Sequence, residues 1–173
     1  KGDDGDRPLR CDIRRLDNKE GRRLGQMFVF SDISLETDML TGFQKWDSFQ
    51  RLAMEEVDHF TFPVGVAICD INGLSVINST RSNQAGDQRI NALAGIMRKN
   101  FPERTYYVRG IDAHLIALCS HSSEEEMTAC VEKVKEQYDG SIQYAVGVAA
   151  DEGQSIVAAI TDAATAMKTK KLV

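Results

Sequence analysis

Near its middle the chain carries a short apolar run that ends in a carboxylate, Pro63-Val64-Gly65-Val66-Ala67-Ile68-Cys69-Asp70. The run lacks polar alternation and consists of β-branched and small residues, which is typical of a strand buried on both faces of a sheet. We therefore expect a buried central strand here. Asp70 stands at its end, where a side chain meets solvent.

Helical patterns flank this strand on both sides. Apolar residues recur at three- and four-residue spacing over residues 37–57 and again over residues 85–100, which predicts two amphipathic helices. Thr37 or Asp38 is suited to cap the first helix, and Asp87 stands where the second would take its N-cap.

The second half of the chain continues the alternation. Residues 105–109 and 114–119 are predicted to form a strand pair joined by residues 110–113, followed by a helix at 123–138, a strand at 142–149 and a helix at 154–168. Ser122 or Ser123 ahead of three glutamates predicts the cap of the first of these helices. The pattern indicates an α/β (α+β) sandwich, with a mixed, mostly antiparallel sheet of about five strands flanked by helices.

The N-terminal part is predicted to be an appendage. Residues 8–16 and 24–31 read as two strands around the turn cluster at 17–21, which makes a β-hairpin. The polar, Gly-rich start is typical of a linker. We divide the chain into a linker and hairpin at 1–34 and a main domain at 35–173.

Composition excludes several classes of protein. The net charge is −5 and the pI about 5.2, which argues against a nucleic-acid surface. No run approaches the ~18 apolar residues of a membrane span, so any membrane attachment would come from upstream segments. Four cysteines without a paired motif favour buried thiols at Cys69 and Cys119 and a reducing, cytoplasmic setting.

Two acids mark a candidate metal site. If the strand ending at Asp70 and the hairpin carrying Asp112 are neighbours, both carboxylates reach one sheet edge, where they suit Mg²⁺ together with substrate phosphates. Asp112 is equally explained as an ordinary turn residue. Asn78 and Asp87 have the groups that read a guanine edge, but taken alone they are first interpreted as a loop residue and a helix cap.

Six segments occur in the order of the motifs of GGDEF domains, and the chain resembles that family over residues 37–171. They are Asp38-Met39-Leu40-Thr41-Gly42-Phe43 (D-x-L-T-G-L), Asp70-Ile71-Asn72 (D-[IV]-D), Asn78 with Gly86-Asp87 (N-D-x-x-G-H-x-x-G-D), Arg109-Gly110-Ile111-Asp112-Ala113-His114 (the GGDEF hairpin), Ala145-Val146-Gly147-Val148-Ala149 (S-[IV]-G-[IV]-A) and Asp162 to Lys171 (the closing A-D-x-A-M-Y-x-A-K helix). The N-terminal hairpin at residues 8–31, which is followed by Asp32-Ile33-Ser34, is similar to the last two strands of a PAS sensor domain.

The resemblance implies a fold and a chemistry. Members with intact motifs condense two GTP into cyclic di-GMP between facing subunits, with Mg²⁺ stabilising the phosphate under attack. Carried over to this sequence, Asp70, the Ile71 carbonyl and Asp112 are the metal ligands, and Asp112 is the signature acid of catalysis. Nucleotide binding falls to four positions, Asn78, Asp87, Gly110 and Lys168.

The sequence also departs from the family pattern. Ile111 replaces the second signature glycine, Ala113 replaces the following acid and His114 the aromatic residue. Asn72 replaces the second acid of the strand end, and residues 101–104 lack the charges of the product-inhibition motif.

Three interpretations remain open at this stage. The domain is a regulatory module that binds a guanine nucleotide with little or no cyclase activity, a working cyclase with an unusual signature, or a structural module for dimerisation. A homodimer or a partner signalling protein suits each of them. Arg109 is a candidate partner for Asp112 or for a phosphate, and the lysines at 168, 170 and 171 suit either a phosphate or the helix C-terminus.

Overall fold

The computed structural model describes residues 9–32, 35–55, 60–151 and 155–170. Within these ranges the elements are, in chain order, β1 (Leu9–Asp17), β2 (Arg23–Asp32), β3 (Gln44–Lys45), α1 (Trp46–Glu55), β4 (Val64–Ile71), α2 (Leu74–Thr80), α3 (Asn83–Asn100), β5 (Tyr106–Arg109), β6 (Leu115–Ser120), α4 (Glu124–Gln137), β7 (Ile142–Ala149) and α5 (Ile156–Lys170).

Five strands form one mixed sheet in the order β3-β5-β6-β4-β7. Strand β4 lies inside the sheet, between β6 and β7, and pairs antiparallel with both. β5 and β6 form an antiparallel hairpin, while β3 runs parallel to β5 at one edge. The predicted mixed, mostly antiparallel sheet is therefore confirmed, and β4 is the buried strand expected from its sequence.

The sheet separates two apolar cores. On one face Ala67 and Cys69 of β4 pack with residues of α3 and α4, and on the other face Val66 and Ile68 pack with residues of α1 and α5. α4 lies so close to β4 that a Cβ at Gly65 would sit 2.5 Å from Met127 Cγ. Side chains on both faces of β4 are thus fully buried, as the unbroken apolar run predicts.

The helix predicted over residues 37–57 starts later than expected, at Trp46. Asp38 does not cap this helix. Its Oδ2 accepts hydrogen bonds from the Thr41 backbone N–H (3.0 Å) and hydroxyl (2.5 Å), and Gly42 follows at φ +68°. This local side-chain bonding holds the segment in a turn that leads into β3, which competes with helix formation. Residues 56 and 57 of the prediction lie outside the described residues.

The segment between β4 and α3 contains a helix that the sequence did not reveal. α2 is short and has no buried residue, so it leaves no apolar stripe to detect. α3 begins at Asn83, and its N-cap is Ser82, whose Oγ accepts from the Ala85 backbone N–H at 3.1 Å. The assignment of Asp87 as the cap was wrong, because Ser82 satisfies the free N–H groups one turn earlier.

The later elements follow the prediction closely. Ser123, one of the two predicted caps, caps α4, and the structure adds a capping box with Glu126. β7 occupies residues 142–149 as expected, and α5 is described from residue 156 to residue 170. Residue 154 of the last predicted helix and Lys171 lie outside the described residues.

The N-terminal strands β1 and β2 pair antiparallel as a separate two-stranded hairpin. Ile13 lies opposite Phe28 in the register, and both are more than half exposed. One face of the hairpin is therefore apolar and open to solvent within the described part of the chain. In that part, no helix is long and apolar enough to cross a bilayer.

Candidate functional site

Asp70 lies at the end of β4 and is held by the neighbouring strand. Its Oδ2 accepts a hydrogen bond of 2.7 Å from Gln143 Nε2, and Gln143 stands directly opposite on β7. The next residue, Ile71, has a buried side chain and pairs with Ile142 of β7. This hydrogen bond fixes the orientation of the carboxylate near the end of β4, and Asp70 is only partly buried there.

The signature residues form the turn between β5 and β6. Asp112 (φ 56°, ψ 33°) and Ala113 (φ 68°) both have left-handed backbone, and the His114 N–H donates to the Ile111 carbonyl at 3.2 Å. Two left-handed residues in the centre of a hairpin turn are the pattern of a type I′ turn, which follows the twist of the strands. The turn projects the exposed side chains of Ile111 and Asp112 away from the sheet.

Charged side chains close the turn from two sides. The Arg109 guanidinium donates to the Ala113 carbonyl, so Arg109 supports the turn backbone. Burial lowers the pKa of Arg109, and the carboxylates of Asp38, Asp87 and Asp70 act against that shift. On the other side Lys168 Nζ of α5 lies 3.8 Å from Asp112 Oδ2. From the sequence, Asp112 or a phosphate was the expected partner of Arg109. In the structure Asp112 pairs instead with Lys168, and Arg109 bonds the turn backbone.

Asn78 lies on α2 and packs against the start of α3. A Cβ at Gly86 would sit 1.8 Å from Asn78 Oδ1, so only glycine leaves room for the amide there. Among the described residues, this oxygen is one of two buried side-chain nitrogen or oxygen atoms without a hydrogen-bond partner. A buried acceptor without a partner is costly and is often satisfied by a ligand or water. Asp87, the next residue on α3, is exposed.

A cleft of about 490 Å³ runs along the end of β4 and joins these elements. It is lined by five of the residues that the sequence singled out, namely Asp70, Ile71, Asn78, Asp112 and Lys168. The antiparallel pairing of β4 with β6, in which Cys69 lies opposite Leu115, brings the two acids to one edge. Gly110 and Asp87 are not part of this lining. Gly110 instead borders a second, smaller pocket on the α5 side of the turn.

Several residues of the cleft were not singled out as site residues from the sequence, and two of them, Gln143 and His114, have polar side chains beside the acids or the turn. Gln143 lines the cleft and orients Asp70, but its place depends on the register between β4 and β7, which no local pattern gives. His114, the first residue of the predicted strand 114–119, directly precedes β6. It is 9% exposed and lines both the cleft and the smaller pocket.

The cleft is lined by two acidic residues, Asp70 and Asp112, and by Ile71. Within the described residues no group of three or more His, Cys, Asp or Glu side chains is arranged to hold a metal ion. Mg²⁺ is commonly held by one or two protein carboxylates together with substrate phosphates and water. The donor set therefore fits a magnesium ion that arrives with a phosphate ligand.

The sheet order, the helices on both faces and the cleft at the β5–β6 turn define an α/β domain of the nucleotidyl-cyclase type. The family model "Diguanylate cyclase, GGDEF domain" matches residues 35–172. The chain belongs to this family.

Solved GGDEF structures have the same fold at low sequence identity. The coiled coil and GGDEF domain of DgcB from Caulobacter crescentus in complex with c-di-GMP is 21% identical, with a TM-score of 0.63 over 79% of this chain and 81% of that one. The FimX GGDEF domain from Pseudomonas aeruginosa is 19% identical, with a TM-score of 0.62 over 78% of this chain and 94% of that one. The diguanylate cyclase SiaD from Pseudomonas aeruginosa, in complex with its activator SiaC, is 18% identical, with a TM-score of 0.63 over 78% of this chain and 57% of that one. No curated protein matches the chain in sequence.

Proposed function

We propose that residues 35–172 form a regulatory module that binds a guanine nucleotide and has little or no cyclase activity. The observation that carries this proposal is the cleft of about 490 Å³, in which Asp70, Asn78, Asp112 and Lys168 line one continuous surface. Amide, carboxylate and ammonium groups in one cleft suit a ligand with a polar base at one end and phosphates at the other.

The base would lie between α2 and α3. Asn78 Oδ1 is buried without a hydrogen-bond partner among the described residues, and it can accept from an N–H group of the base. Asp87, exposed on α3, can accept from the N1–H and exocyclic amine of guanine, which adenine does not offer in that arrangement. This pair is the basis for expecting GTP to bind in preference to ATP.

The phosphates would lie at the β4 end beside the β5–β6 turn. Asp70, the Ile71 carbonyl and Asp112 would hold Mg²⁺, and Lys168 would contact a phosphate oxygen. When bound, Mg²⁺ neutralises phosphate charge and lowers the pKa of an attacking hydroxyl. Gln143 donates to one Asp70 oxygen and so orients the carboxylate at the proposed ion site.

Two substitutions in the turn support low turnover. Ala113 supplies no carboxylate where the family pattern has an acid beside the metal ions, and losing one such electrostatic group commonly costs roughly 10²–10³ in rate. Ile111 is 64% exposed at the position of a glycine, so its side chain occupies space that a nucleotide backbone would approach. Binding needs fewer aligned groups than catalysis, so it survives these changes more readily.

The same proposal extends to the partners of the domain and to its location in the cell. Among the similar structures are a GGDEF domain in complex with c-di-GMP and a cyclase in complex with its activator protein. We expect this domain to act as a homodimer or with a partner signalling protein in the cytoplasm. We also propose that residues 1–34 are the end of a PAS sensor domain, because the hairpin exposes an apolar face.

Calorimetric titration of the full chain with GTP, with and without Mg²⁺ and with ATP for comparison, tests the proposal. We expect micromolar, Mg²⁺-dependent binding that favours GTP and is weakened at least tenfold by Asp112→Asn. Glu136→Gln, on an exposed position of α4 that does not line the cleft, is the matched control and should bind as the parent does. Absence of saturable binding by any of these nucleotides would overturn the proposal in favour of a structural module.

A second measurement separates binding from catalysis. Chromatography of a prolonged reaction at high protein concentration should show no cyclic di-GMP, or only a trace that disappears with Asp112→Asn. Turnover close to that of cyclases with an intact signature would overturn the regulatory assignment. Ala113→Glu restores the missing acid and is expected to raise any product formation.

A further inference from the structure

We propose that the pocket between the β5–β6 turn and α5 is a second ligand site, which takes a small zwitterionic molecule with an apolar body, such as a free aromatic or branched α-amino acid. The pocket has a volume of about 220 Å³. That is below the roughly 300–1,000 Å³ of sites for drug-sized ligands, so its occupant is a single small molecule.

The floor and walls of this pocket are apolar. Ile116 and Ile160 are almost fully buried and form the floor, 2% and 3% exposed. Trp46 and Ala164 are partly buried beside them, and Ile111 is 64% exposed at the rim. A benzyl or branched aliphatic group placed here gains the contacts of a hydrophobic pocket, while the exposed Ile111 side chain loses its contact with water.

The rim carries one charge of each sign. Lys168 Nζ lies 3.8 Å from Asp112 Oδ2, both side chains are 67% exposed, and both residues line the pocket. An α-amino acid carries its carboxylate and ammonium on one carbon, so it can place the first against Lys168 and the second against Asp112. Exchanging the surface ion pair for these two contacts costs little, because an exposed pair contributes at most about 1 kcal/mol.

The two threonine hydroxyls of the pocket are already engaged. Thr161 Oγ1 donates to the Val157 carbonyl and Thr165 Oγ1 to the Thr161 carbonyl, each at 2.8 Å along α5. These hydroxyls therefore offer acceptor lone pairs at most. Recognition of a ligand head group falls to Lys168 and Asp112, and this combination favours a zwitterion over an ion of either single charge.

Trp46 makes the site directly measurable. It is the only tryptophan of the chain, and it lines this pocket and not the larger cleft. Titration of the full chain with L-phenylalanine should change Trp46 emission, excited at the red edge, in a saturable way. We expect roughly millimolar affinity for a ligand of this size. Lys168 and Asp112 line the proposed guanine site as well. Because no nucleotide is present in this titration, its result does not depend on guanine-nucleotide binding.

Two analogues of matched size test the head group. 3-Phenylpropionate keeps only the carboxylate and phenethylamine only the ammonium. Each should bind roughly two- to fivefold more weakly than phenylalanine, the range expected for an exposed charge pair. Lys168→Gln should weaken 3-phenylpropionate and leave phenethylamine unchanged or slightly stronger. Equal binding of all three probes would overturn the zwitterion class.

Two leucine substitutions on α5 test the location. Ala164→Leu fills the pocket from its wall, and Ala166→Leu places the same side chain on an exposed position outside it. We expect the first to weaken phenylalanine binding at least tenfold and the second to leave it unchanged, with calorimetry as a readout that does not depend on Trp46. Equal affinities in the two variants, provided both unfold at temperatures near that of the parent, would overturn the site. So would the absence of saturation in the unmodified chain.

Discussion

Two residues in the centre of the β5–β6 turn have left-handed backbone, a conformation that glycine adopts readily and most other residues do not. Asp112 and Ala113 have φ of 56° and 68°. Aspartate tolerates this region through local hydrogen bonding, whereas alanine gains nothing that offsets the contact between its Cβ and the backbone. In type I′ turns the second of these positions is usually glycine. The turn therefore retains strain at Ala113.

Replacing Ala113 with glycine should relieve this strain. We expect Ala113→Gly to raise the free energy of unfolding by about 1 kcal/mol, since the relief exceeds the added entropy of the unfolded chain. Thermal unfolding followed by circular dichroism would show a rise of about 2–4 °C. Ala158→Gly, at an exposed position within α5, is the control of opposite sign and should cost about 1 kcal/mol. A loss of stability in Ala113→Gly would contradict the assigned turn geometry.

Gly86 determines where the amide of Asn78 lies. Because a Cβ at Gly86 would sit 1.8 Å from Asn78 Oδ1, Gly86→Ala must displace Asn78 or shift α2 away from α3. We expect it to lower the free energy of unfolding by about 1–3 kcal/mol, the usual range for overpacking, and to weaken GTP binding at least tenfold. Calorimetry and thermal unfolding measure the two effects separately.

The same helix provides the control. Gly95 has no atom within 4 Å of an added Cβ. Gly95→Ala should therefore leave GTP binding unchanged and stabilise α3 by roughly 0.5–1 kcal/mol, the helical preference for alanine over glycine. If both variants lose stability equally, close packing of Asn78 on Gly86 is not the cause.

At the scale of the element, the capping box of α4 is the clearest case of local control. Ser123 Oγ accepts from the Glu126 N–H at 3.3 Å, and Glu126 Oε2 accepts from the Ser123 N–H at 2.9 Å. Ser123→Ala should cost about 1 kcal/mol, measured by denaturant unfolding, because an N–H of the first turn loses its partner. Thr128→Ala, within the same helix, should cost nothing or stabilise it slightly, since alanine is the better helix former. A similar loss in both variants would show that the cap contributes no more than the helix interior does.

The sequence identified those elements whose signal is local. The apolar run of β4, the strand β7 and the Ser123 cap each depend on a few neighbouring residues, so they were predicted correctly. α2 was missed because none of its residues is buried. The first helix was extended too far because the turn fixed by Asp38 has apolar residues at helical spacing.

The site was predictable only as far as it depends on strand ends and turns. Asp70 and Asp112 were identified because one ends a buried strand and the other lies in a hairpin turn. Gln143 was not, because its contact with Asp70 exists only through the pairing of β4 with β7 across the sheet. The role of Trp46 as a wall of the smaller pocket depends on where α5 crosses the turn, which periodicity cannot give.

At the scale of the molecule, strand β4 connects a buried core with the candidate site. Cys69 and its neighbours seal one core against α3 and α4, while Asp70, one residue on, opens to the cleft at the sheet edge. The packing of β4 in the core therefore holds Asp70 in its position at the cleft. Access to Cys69 reports on the integrity of the whole domain, because its side chain is fully buried between the sheet and the helices.

This arrangement predicts the order in which the four cysteines react with a thiol reagent at pH 8. Burial, and then the negative charge of Asp70, raises the pKa of Cys69 to about 12, and burial also raises the pKa of Cys119. Reaction requires the thiolate, which a raised pKa suppresses, so these two residues should react only when the domain opens. Cys11 is exposed and should react first, followed by the partly buried Cys130. Mass spectrometry of stopped reactions gives the order, Cys11→Ser should remove the fast phase, and guanidinium should make all four react together. Rapid labelling of Cys69 in the folded chain would mean that the core between the sheet and α3–α4 is open in solution.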